Sequence, residues 1–420
     1  MPPSGKSLFW QKVTIVERKR MRKLALSDEI LMKVDKAARY IGGEVNSVMK
    51  DKNAVDIRFA MCFPDVYEIG MSNLGMMILY NMFNQREDVW CERLFSPWPD
   101  LDKVMREEKI PLFALESQEP IRDFDFLGIT IGYEMCYTNI LQVLDLSGIP
   151  LKSADRGEDF PIVIGGGACA YNPEPLAPFF DMFYIGEGET VYDALFDAYK
   201  ANKKAGGSRK DFLLAAAKIP GIYVPSLYEV TYKEDGTIAS FAPTADGVPE
   251  KVQKQLIIDM EKEYRAVEAP VVPHIKATQD RVTLEIQRGC IRGCRFCQAG
   301  MIYRPTRERD VETLKESARI MLKNTGHEEI SLSSLSSSDY SQLKELVNFL
   351  IEEFHGKAVN ISLPSLRIDA FALDVMSKVQ DVKKSSLTFA PEAGSQRLRD
   401  VINKGLTEEV ILHGAGEAFK

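Results

Sequence analysis

Residues 288–304 read R-G-C-I-R-G-C-R-F-C-Q-A-G-M-I-Y-R and contain three of the chain's seven cysteines. Cys290, Cys294 and Cys297 have the spacing C-x3-C-x2-C, so a loop that wraps around one metal centre would present three thiolates to it. A structural zinc site takes four protein ligands, and an electron-transfer iron–sulfur cluster usually takes four cysteines. Three cysteines therefore favour a [4Fe–4S] cluster in which one iron has no protein ligand.

The residues around the cysteines support a tightly wrapped loop. Gly289 and Gly293 let the backbone curl, and backbone amides close to the sulfurs can tune the potential of a cluster. Two alternatives stay open: a coincidental group of cysteines, or a zinc loop that takes a fourth ligand from His274, His327 or His355.

The loop resembles one enzyme family. C-x3-C-x2-C with an aromatic residue, Phe296, directly before the third cysteine is similar to the radical S-adenosylmethionine (SAM) enzymes. The resemblance implies that the open iron chelates the amino and carboxylate groups of SAM. An electron from the cluster then cleaves the sulfonium, and a 5′-deoxyadenosyl radical attacks a substrate. It also implies a reductant such as flavodoxin or ferredoxin, while the protein supplies position and shielding.

Composition describes an ordinary globular protein. The chain has 420 residues, of which 45% are hydrophobic and 27% charged, and this length suggests two or three domains. A net charge of −8 argues against bulk attraction to nucleic acid. The four other cysteines are scattered singly, which is typical of small buried residues rather than of disulfides. No apolar run reaches the length of a membrane span, and we expect a cytoplasmic protein.

The pattern of elements predicts an α/β fold in four parts. Residues 1–30 form a basic N-terminal extension, and residues 31–204 alternate strands and helices, which predicts a Rossmann-like domain with a parallel sheet. Within it we expect a helix at about 31–40 and a short strand at 111–115. A β-hairpin and a linker follow at 205–279. Residues 280–420 predict an incomplete TIM-like (βα) barrel, with active groups at the carboxyl ends of its strands.

Ligands of a doubly wound domain bind beyond the carboxyl ends of its strands. The candidate loops are residues 64–73, 133–139, 165–172 and 186–189. The third formally fits a dinucleotide fingerprint, but N-P-E-P after it prevents a helix from opening there.

The layout G-G-G…N-P-E-P…F-D…G-E-G-E resembles the cobalamin-binding-like N-terminal domain of one radical-SAM branch, from about Ala38 to Gly188. No histidine precedes His274, so the usual axial ligand of cobalamin is missing. Two interpretations stay open: cobalamin bound without a histidine ligand, or a degenerate domain that acts as a lid or docking surface.

The resemblance also implies SAM-binding residues at later strand ends. The run S-L-S-S-L-S-S-S-D-Y occupies the place of the family's Gly-Gly-Glu turn and departs from it, but Ser333 and Ser334 could accept hydrogen bonds from the SAM amino group. Ser362 and Arg367 fall near the SAM carboxylate or the substrate. Glu392 is expected at the ribose hydroxyls. The alternatives are an ordinary serine turn, a surface ion pair for Arg367 and a helix cap for Glu392.

Six arginines form a basic collar around the loop: Arg288, Arg292, Arg295, Arg304, Arg307 and Arg309. Compensation of the charges of the cluster and of the SAM carboxylate is the simpler interpretation of this collar. Binding of RNA phosphates is the alternative, and it would fit an RNA-modifying methylthiotransferase-like enzyme.

The chain stops at Lys420, inside the helix that we predict after the fourth barrel strand. A radical-SAM core has further strands, so we expect a fragment or a truncated product whose SAM affinity rises when they are restored. The sequence predicts reductive cleavage of SAM with an unknown substrate. A non-catalytic iron–sulfur scaffold, which would hold a cluster without cleaving SAM, is the other alternative.

Overall fold

The computed structural model describes residues 23–264, 266–357, 359–364 and 389–418. Most of the predicted basic extension lies outside these residues. So do Arg367 and the start of the predicted fourth barrel strand.

A six-stranded sheet forms the N-terminal half, in the order β2-β1-β3-β4-β5-β6. The strands are β1 (Ile57–Phe63), β2 (Val89–Phe95), β3 (Phe126–Thr130), β4 (Ile162–Gly166), β5 (Met182–Tyr184) and β6 (Ile222–Tyr223). Strands β1–β5 run parallel, and β6 pairs antiparallel with β5. The order 2-1-3-4-5 is a doubly wound arrangement whose ligand crevice lies between β1 and β3.

Helices cover both faces of this sheet. They are α1 (Asp28–Leu31), α2 (Tyr67–Gly70), α3 (Leu74–Gln85), α4 (Pro99–Glu108), α5 (Tyr137–Leu146), α6 (Tyr192–Lys204) and α7 (Arg209–Ala216). Every residue of β1 is buried: Phe59 and Met61 join the core under α3 and α6, and Ala60 and Cys62 join the core under α4 and α5. Burial on both faces explains the apolar run from Phe59 to Phe63.

Two smaller sheets and a hairpin make up the rest of the strands in the described residues. The hairpin is β7 (Tyr228–Tyr232) with β8 (Ile238–Pro243); β10 (Gln287–Arg288) pairs antiparallel with β11 (Arg307–Glu308); and a parallel sheet has the order β13 (Asn360–Ser362), β12 (Glu329–Ser333), β9 (Val282–Glu285). The helices are α8 (Ala299–Ile302), α9 (Val311–Thr325), α10 (Leu343–Phe354), α11 (Gln396–Val401) and α12 (Glu408–Ala418). Helices α9 and α10 bury their apolar sides against this parallel sheet.

The predicted α/β fold is confirmed: five strands of the N-terminal sheet are parallel, and β13, β12 and β9 form a second parallel sheet. Among the described residues, no helix combines the length and the apolar character needed to cross a membrane.

The predicted strand at 111–115 is wrong. Leu112, Ala114 and Leu115 donate their amides to Leu146, Glu119 and Arg93 in turn, at 2.9, 3.1 and 2.9 Å. Since three different segments receive these bonds, the apolar run fills the core without forming a ladder.

The predicted helix at 31–40 is also wrong. Helix α1 ends at Leu31, and only a 3-10 turn, Ala37–Arg39, follows it. Between them, the amide of Asp35 donates to Asp100 Oδ2 at 2.8 Å, so the backbone makes a bond to α4 in place of a helical one.

The first sheet also extends past the domain boundary that we predict at residue 204. Helix α7 buries Phe212 against the sheet, and β6 adds its sixth strand. Helix α7 and strand β6 therefore belong to the same packed unit as β5.

Candidate active site

The cysteine loop runs from β10 to α8. Gly289 enters it with φ = +80°, and a Cβ there would lie 2.6 Å from the backbone oxygens of Tyr303 and Pro305. Only glycine fits a position with this conformation and this close contact. The three thiols that follow are half-buried.

Backbone amides already donate to two of these sulfurs. The amide of Arg292 lies 3.4 Å from Cys290 Sγ, and that of Gly300 lies 3.3 Å from Cys297 Sγ. Such donors stabilise thiolates and raise the potential of a bound cluster.

A second segment of the chain holds the loop from outside. Ile402 accepts the amide of Arg295 at 2.9 Å, and Asn403 Nδ2 donates to the backbone oxygen of Gly293 at 2.8 Å. The loop is therefore fixed by contacts more than a hundred residues away in sequence.

The donor set of the loop is three thiols. Among the described residues, no group of three or more His, Cys, Asp or Glu side chains is arranged to hold one metal ion. A mononuclear zinc site needs its ligand atoms to converge within about 2.3 Å of the ion, whereas each thiolate of an iron–sulfur cluster binds a separate iron. Two of the proposed fourth ligands have neighbours elsewhere. His274 Nε2 lies 3.1 Å from the backbone oxygen of Gly42, and His327 Nδ1 lies 3.6 Å from Asp280 Oδ1.

A cavity of about 510 Å3 opens beside the loop, and both halves of the chain line it. This volume lies within the range of small-molecule sites, about 300–1,000 Å3. The N-terminal wall comes from α3, from β1, β3 and β4, and from the predicted loops at 165–172 and 186–189. The other wall includes Glu285, Gln287, Gly289, Ser333 and Ser334. The crevice of the doubly wound sheet thus faces the strand ends of the barrel.

Buried ion pairs join the two walls. Arg307 donates to both carboxylate oxygens of Glu187 at 2.7 and 2.8 Å, and Arg288 contacts Glu189 at 2.6 Å and Glu187 at 3.2 Å. Arg288 also pairs with Glu285 at 2.9 Å. We call these five side chains the interdomain ion-pair network. It sets the G-E-G-E loop of one half against the start of the cysteine loop in the other.

Gly186 lets this loop reach its position. Its φ is +133°, and a Cβ there would lie 2.1 Å from the backbone oxygen of Gln255. The linker therefore runs directly against the G-E-G-E backbone.

The structure brings together only some of the predicted SAM-binding residues. Ser333 and Ser334 line the cavity, and Ser334 Oγ is hydrogen-bonded to Ser337 Oγ at 3.0 Å. Ser362 is not among the lining residues; its hydroxyl accepts a hydrogen bond from Arg281 at 3.2 Å. Glu392 also lies outside the lining and pairs with Lys404 at 3.1 Å.

The arginines of the basic collar have different partners in the structure. Arg288 and Arg307 belong to the interdomain ion-pair network, and Arg292 Nε donates to Asp339 at 2.9 Å. The guanidinium of Arg309 lies over the ring of Tyr264. In this structure Arg288 and Arg307 are therefore paired with carboxylates of the chain itself, which compensate their charges.

Four residues with polar roles at the cavity were not predicted individually: Glu187, Glu189, Glu285 and Gln287. The first two fall in a loop that the strand-end rule does select. The signal for Glu285 and Gln287 is their position where the first predicted barrel strand meets the cysteine loop.

We expect Glu187→Gln to destabilise the chain by about 3 kcal/mol, near the lower end of the range for removing one partner of a buried pair. Burial raises the pKa of Glu187, but Arg307 and Arg288 outweigh it and hold that pKa below its ordinary value. The contribution of this pair is therefore present above the pKa of a glutamate in the unfolded chain and disappears as the pH falls through the lowered folded-state pKa. Denaturant unfolding from neutral pH into this acid range would measure it.

The matched control is Glu234→Gln in the exposed hairpin turn. We expect its unfolding curve to follow that of the wild type at each pH. A Glu187→Gln variant as stable as this control would show that the interdomain pair adds nothing.

Two family profiles match the chain. "Radical SAM proteins, N-terminal" matches residues 75–225, and "Radical SAM superfamily" matches residues 284–420. The second match includes all three cysteines of the loop.

Curated relatives extend these matches. An uncharacterised protein of Methanocaldococcus jannaschii is 29% identical over 362 residues, which cover 86% of this chain and 66% of the relative. A putative methylthiotransferase of the same organism is 26% identical over 179 residues, 39% of each chain. The chain thus spans less than two thirds of each relative.

The fold has a counterpart among solved structures. The cobalamin-dependent radical SAM enzyme OxsB, with aqua-cobalamin and SAM bound, superposes with a TM-score of 0.54 at 16% identity, covering 85% of this chain and 47% of that one. The two family matches place residues 75–225 and 284–420 among the radical SAM proteins, and the likeness to OxsB shows that the chain shares its fold.

Proposed function

We propose that this chain binds a [4Fe–4S] cluster through Cys290, Cys294 and Cys297 and cleaves SAM reductively in the cavity beside them. The observation that carries this proposal is the shared wall: Gly289, adjacent to the first cysteine, lines the same cavity as Ser333 and Ser334. A molecule held by these serines would therefore lie next to the cluster.

The residues of the chain fit this role in several ways. Amides of Arg292 and Gly300 would support thiolates at the cluster, and the two serine hydroxyls would orient the amino-acid end of SAM. When bound, the cluster supplies the electron that cleaves the sulfonium. The N-terminal wall covers the cavity and would limit access of water to reactive species.

Ser362, Arg367 and Glu392 remain weaker proposals for SAM binding. Ser362 and Glu392 lie outside the cavity lining, with partners of their own. Arg367 lies outside the described residues.

An anaerobic assay tests the proposal. The chain is reconstituted with iron and sulfide and incubated with SAM and dithionite, and 5′-deoxyadenosine is measured. We expect product only when cluster, SAM and reductant are all present. A cluster that forms without product would favour the scaffold alternative. An oxygen-sensitive cluster also supports a reducing, cytoplasmic setting and a flavodoxin- or ferredoxin-like reductant.

Cobalamin is a second candidate ligand of the N-terminal half. The observation that favours it is an apolar arm of the cavity between the sheet and its helices, lined by Phe59, Ile78, Ile164 and Tyr192. None of the four histidines is among the lining residues, so a corrinoid there would lack an axial histidine. Retention of hydroxocobalamin on gel filtration would support this candidate, and its loss would favour a domain that acts only as a cover.

RNA as the substrate has less support from the cavity. Three carboxylates line it, and Arg288 and Arg307 are already paired with them. Phosphates would meet like charge there. The putative methylthiotransferase relative, which matches over 39% of this chain, keeps the alternative open.

A further inference from the structure

The cysteine loop has an outer side that faces away from the cavity lining. Gly289 and Tyr303, at the two ends of the loop, line the cavity, whereas none of residues 290–302, all of which the structure describes, does so. Phe296, between the second and third cysteines, is 55% exposed. Because the three thiols are half-buried, little protein separates a cluster bound to them from solvent on this side.

Helix α11 extends this outer side. Arg295 donates a guanidinium N–H to the backbone oxygen of Val401, so the end of α11 lies against the loop. Val401 is 50% exposed. Arg397 and Leu398 precede it by four and three residues, so they share its side of the helix, and both are exposed. We call these side chains the outer patch: Arg295, Phe296, Arg397, Leu398 and Val401.

The surroundings of the outer patch are basic although the whole chain is acidic. Residues 290–304 and 392–404 together hold six basic and two acidic side chains, whereas the chain has a net charge of −8. Two of the basic side chains form ion pairs. Arg295 and Arg304 donate instead to backbone oxygens, which leave their charges uncompensated. An acidic partner is therefore attracted to this side of the loop.

The apolar side chains of the outer patch favour a protein over a nucleic acid. Leu398 and Val401 are aliphatic, so they offer no ring on which a base could stack. Exposed apolar side chains rimmed by charge are typical of protein interfaces, and Phe and Arg are residue types that such interfaces favour.

We propose that the outer patch docks an acidic one-electron carrier protein, which reduces the cluster from this side of the loop while SAM occupies the cavity on the other. This inference rests on the proposed function. The carrier gives up one electron and the oxidised cluster takes it up, so no bond forms or breaks in this step. Electron transfer slows steeply with distance, and the side of the loop with the least covering protein gives a carrier its shortest path.

Reversal of one charge tests the contact, with reduced flavodoxin as the probe. Arg397→Glu and Lys210→Glu change the net charge equally, but Lys210 is an exposed residue of α7, in the N-terminal half. The reconstituted chain is mixed with flavodoxin hydroquinone without oxygen, and the visible absorbance of the cluster gives the rate of reduction. We expect Arg397→Glu to lower this rate at least tenfold at low ionic strength and less as salt is added, and Lys210→Glu to leave it within about twofold.

Leu398→Ser tests the apolar part of the outer patch, because it leaves every charge in place. We expect reduction by flavodoxin to be about threefold slower in this variant, as partial loss of one apolar contact implies, and the deficit to persist at high salt. Thermal unfolding checks that each variant is folded. Gel filtration at high concentration shows whether Leu398→Ser dissociates a dimer, which would assign the patch to a second copy of the chain and overturn the proposal.

Dithionite separates docking from the chemistry, since a small reductant needs no docking site. We expect Arg397→Glu, Lys210→Glu and the wild type to form 5′-deoxyadenosine equally with it. The docking proposal is wrong if flavodoxin reduces Arg397→Glu and Lys210→Glu at the same rate, if flavodoxin does not reduce the wild type, or if Arg397→Glu is equally impaired with both reductants. Loss of transfer RNA binding in Arg397→Glu, with reduction by flavodoxin unchanged, would assign the surface to RNA.

A wild-type chain that forms no product with dithionite would overturn the proposed function instead. Binding of fluorescently labelled flavodoxin to the cluster-free chain still tests the outer patch in that case. We expect Arg397→Glu to weaken this binding at low ionic strength and Lys210→Glu to leave it unchanged, and equal binding by both variants would overturn the docking.

Discussion

Replacing Arg93 by methionine is expected to lower the unfolding temperature of the N-terminal half of the chain by roughly 10 °C. Arg93 lies on β2 and is fully buried, with Nε 2.6 Å from Glu116 and Nη2 2.7 Å from Glu44, whose side chains are also fully buried. Removal of Arg93 would leave both carboxylates buried without the guanidinium that now pairs with them. Breaking a buried pair in this way costs about 3–5 kcal/mol.

Tyrosines complete this buried group. Tyr80 donates to Glu116 and Tyr67 donates to Glu44, each at 2.9 Å. Burial raises the pKa of Glu44, but Arg93 outweighs it and holds that pKa below its ordinary value. In Arg93→Met no guanidinium lowers the pKa of Glu44 in this way. We therefore expect the deficit of the variant to shrink as the pH falls and the Glu44 carboxyl becomes protonated.

Thermal unfolding followed by circular dichroism measures the effect, and Arg106→Met is the matched control. Arg106 pairs with Asp102 on the surface, with half of its side chain exposed, so we expect a loss below about 1 kcal/mol. Adding Glu44→Gln and Glu116→Gln to Arg93→Met should recover much of the stability, since the tyrosines can still donate to the amides. Equal melting of Arg93→Met and Arg106→Met would contradict this account.

The second large effect concerns the cysteine loop. Cys294→Ala is expected to abolish formation of 5′-deoxyadenosine and to lower the iron and sulfide content after reconstitution. With one thiolate removed, the loop offers two cysteine ligands, and an iron–sulfur cluster held by so few is not stably bound. Metal analysis, visible absorbance and the anaerobic assay measure the three outcomes.

Cys91→Ala is the control for this variant. Cys91 is fully buried in β2, among the apolar residues under α3, so its loss leaves the loop intact. We expect it to retain a cluster and product formation, with a modest loss of stability. If Cys294→Ala kept a full cluster, our assignment of the ligands would be wrong.

The local elements could be predicted because their signals are local. The apolar run of β1 and the glycines and cysteines of residues 288–304 each lie within one short segment. The parallel direction of the strands follows from the alternation of strands and helices, which permits few arrangements. The loop at 186–189 was selected by the rule that ligands bind at strand ends.

Contacts between distant segments could not be predicted in the same way. Glu187 and Arg307 lie 120 residues apart, and nothing in either segment indicates the other. The register between β12 and β13 could not be predicted either, and it decides where Ser362 lies. It pairs with Ser331, two residues before Ser333, so it lies below the strand end, where Arg281 reaches it.

The apolar run at 111–115 shows a third reason. Its composition suits a strand. The same apolar side chains are also buried when the segment is irregular, because its amides donate to three other segments. Propensity alone does not separate these outcomes, since packing decides between them.

Because both halves of the chain line the cavity, a ligand that contacts both walls would also hold the two halves together. A ligand that binds only the assembled arrangement stabilises it by about 2.7 kcal/mol at a hundredfold excess over its Kd. Separation of the halves, which would expose the linker at residues 244–281 to proteases, then becomes about a hundredfold rarer. Occupancy of the site would thus protect the linker from proteolysis.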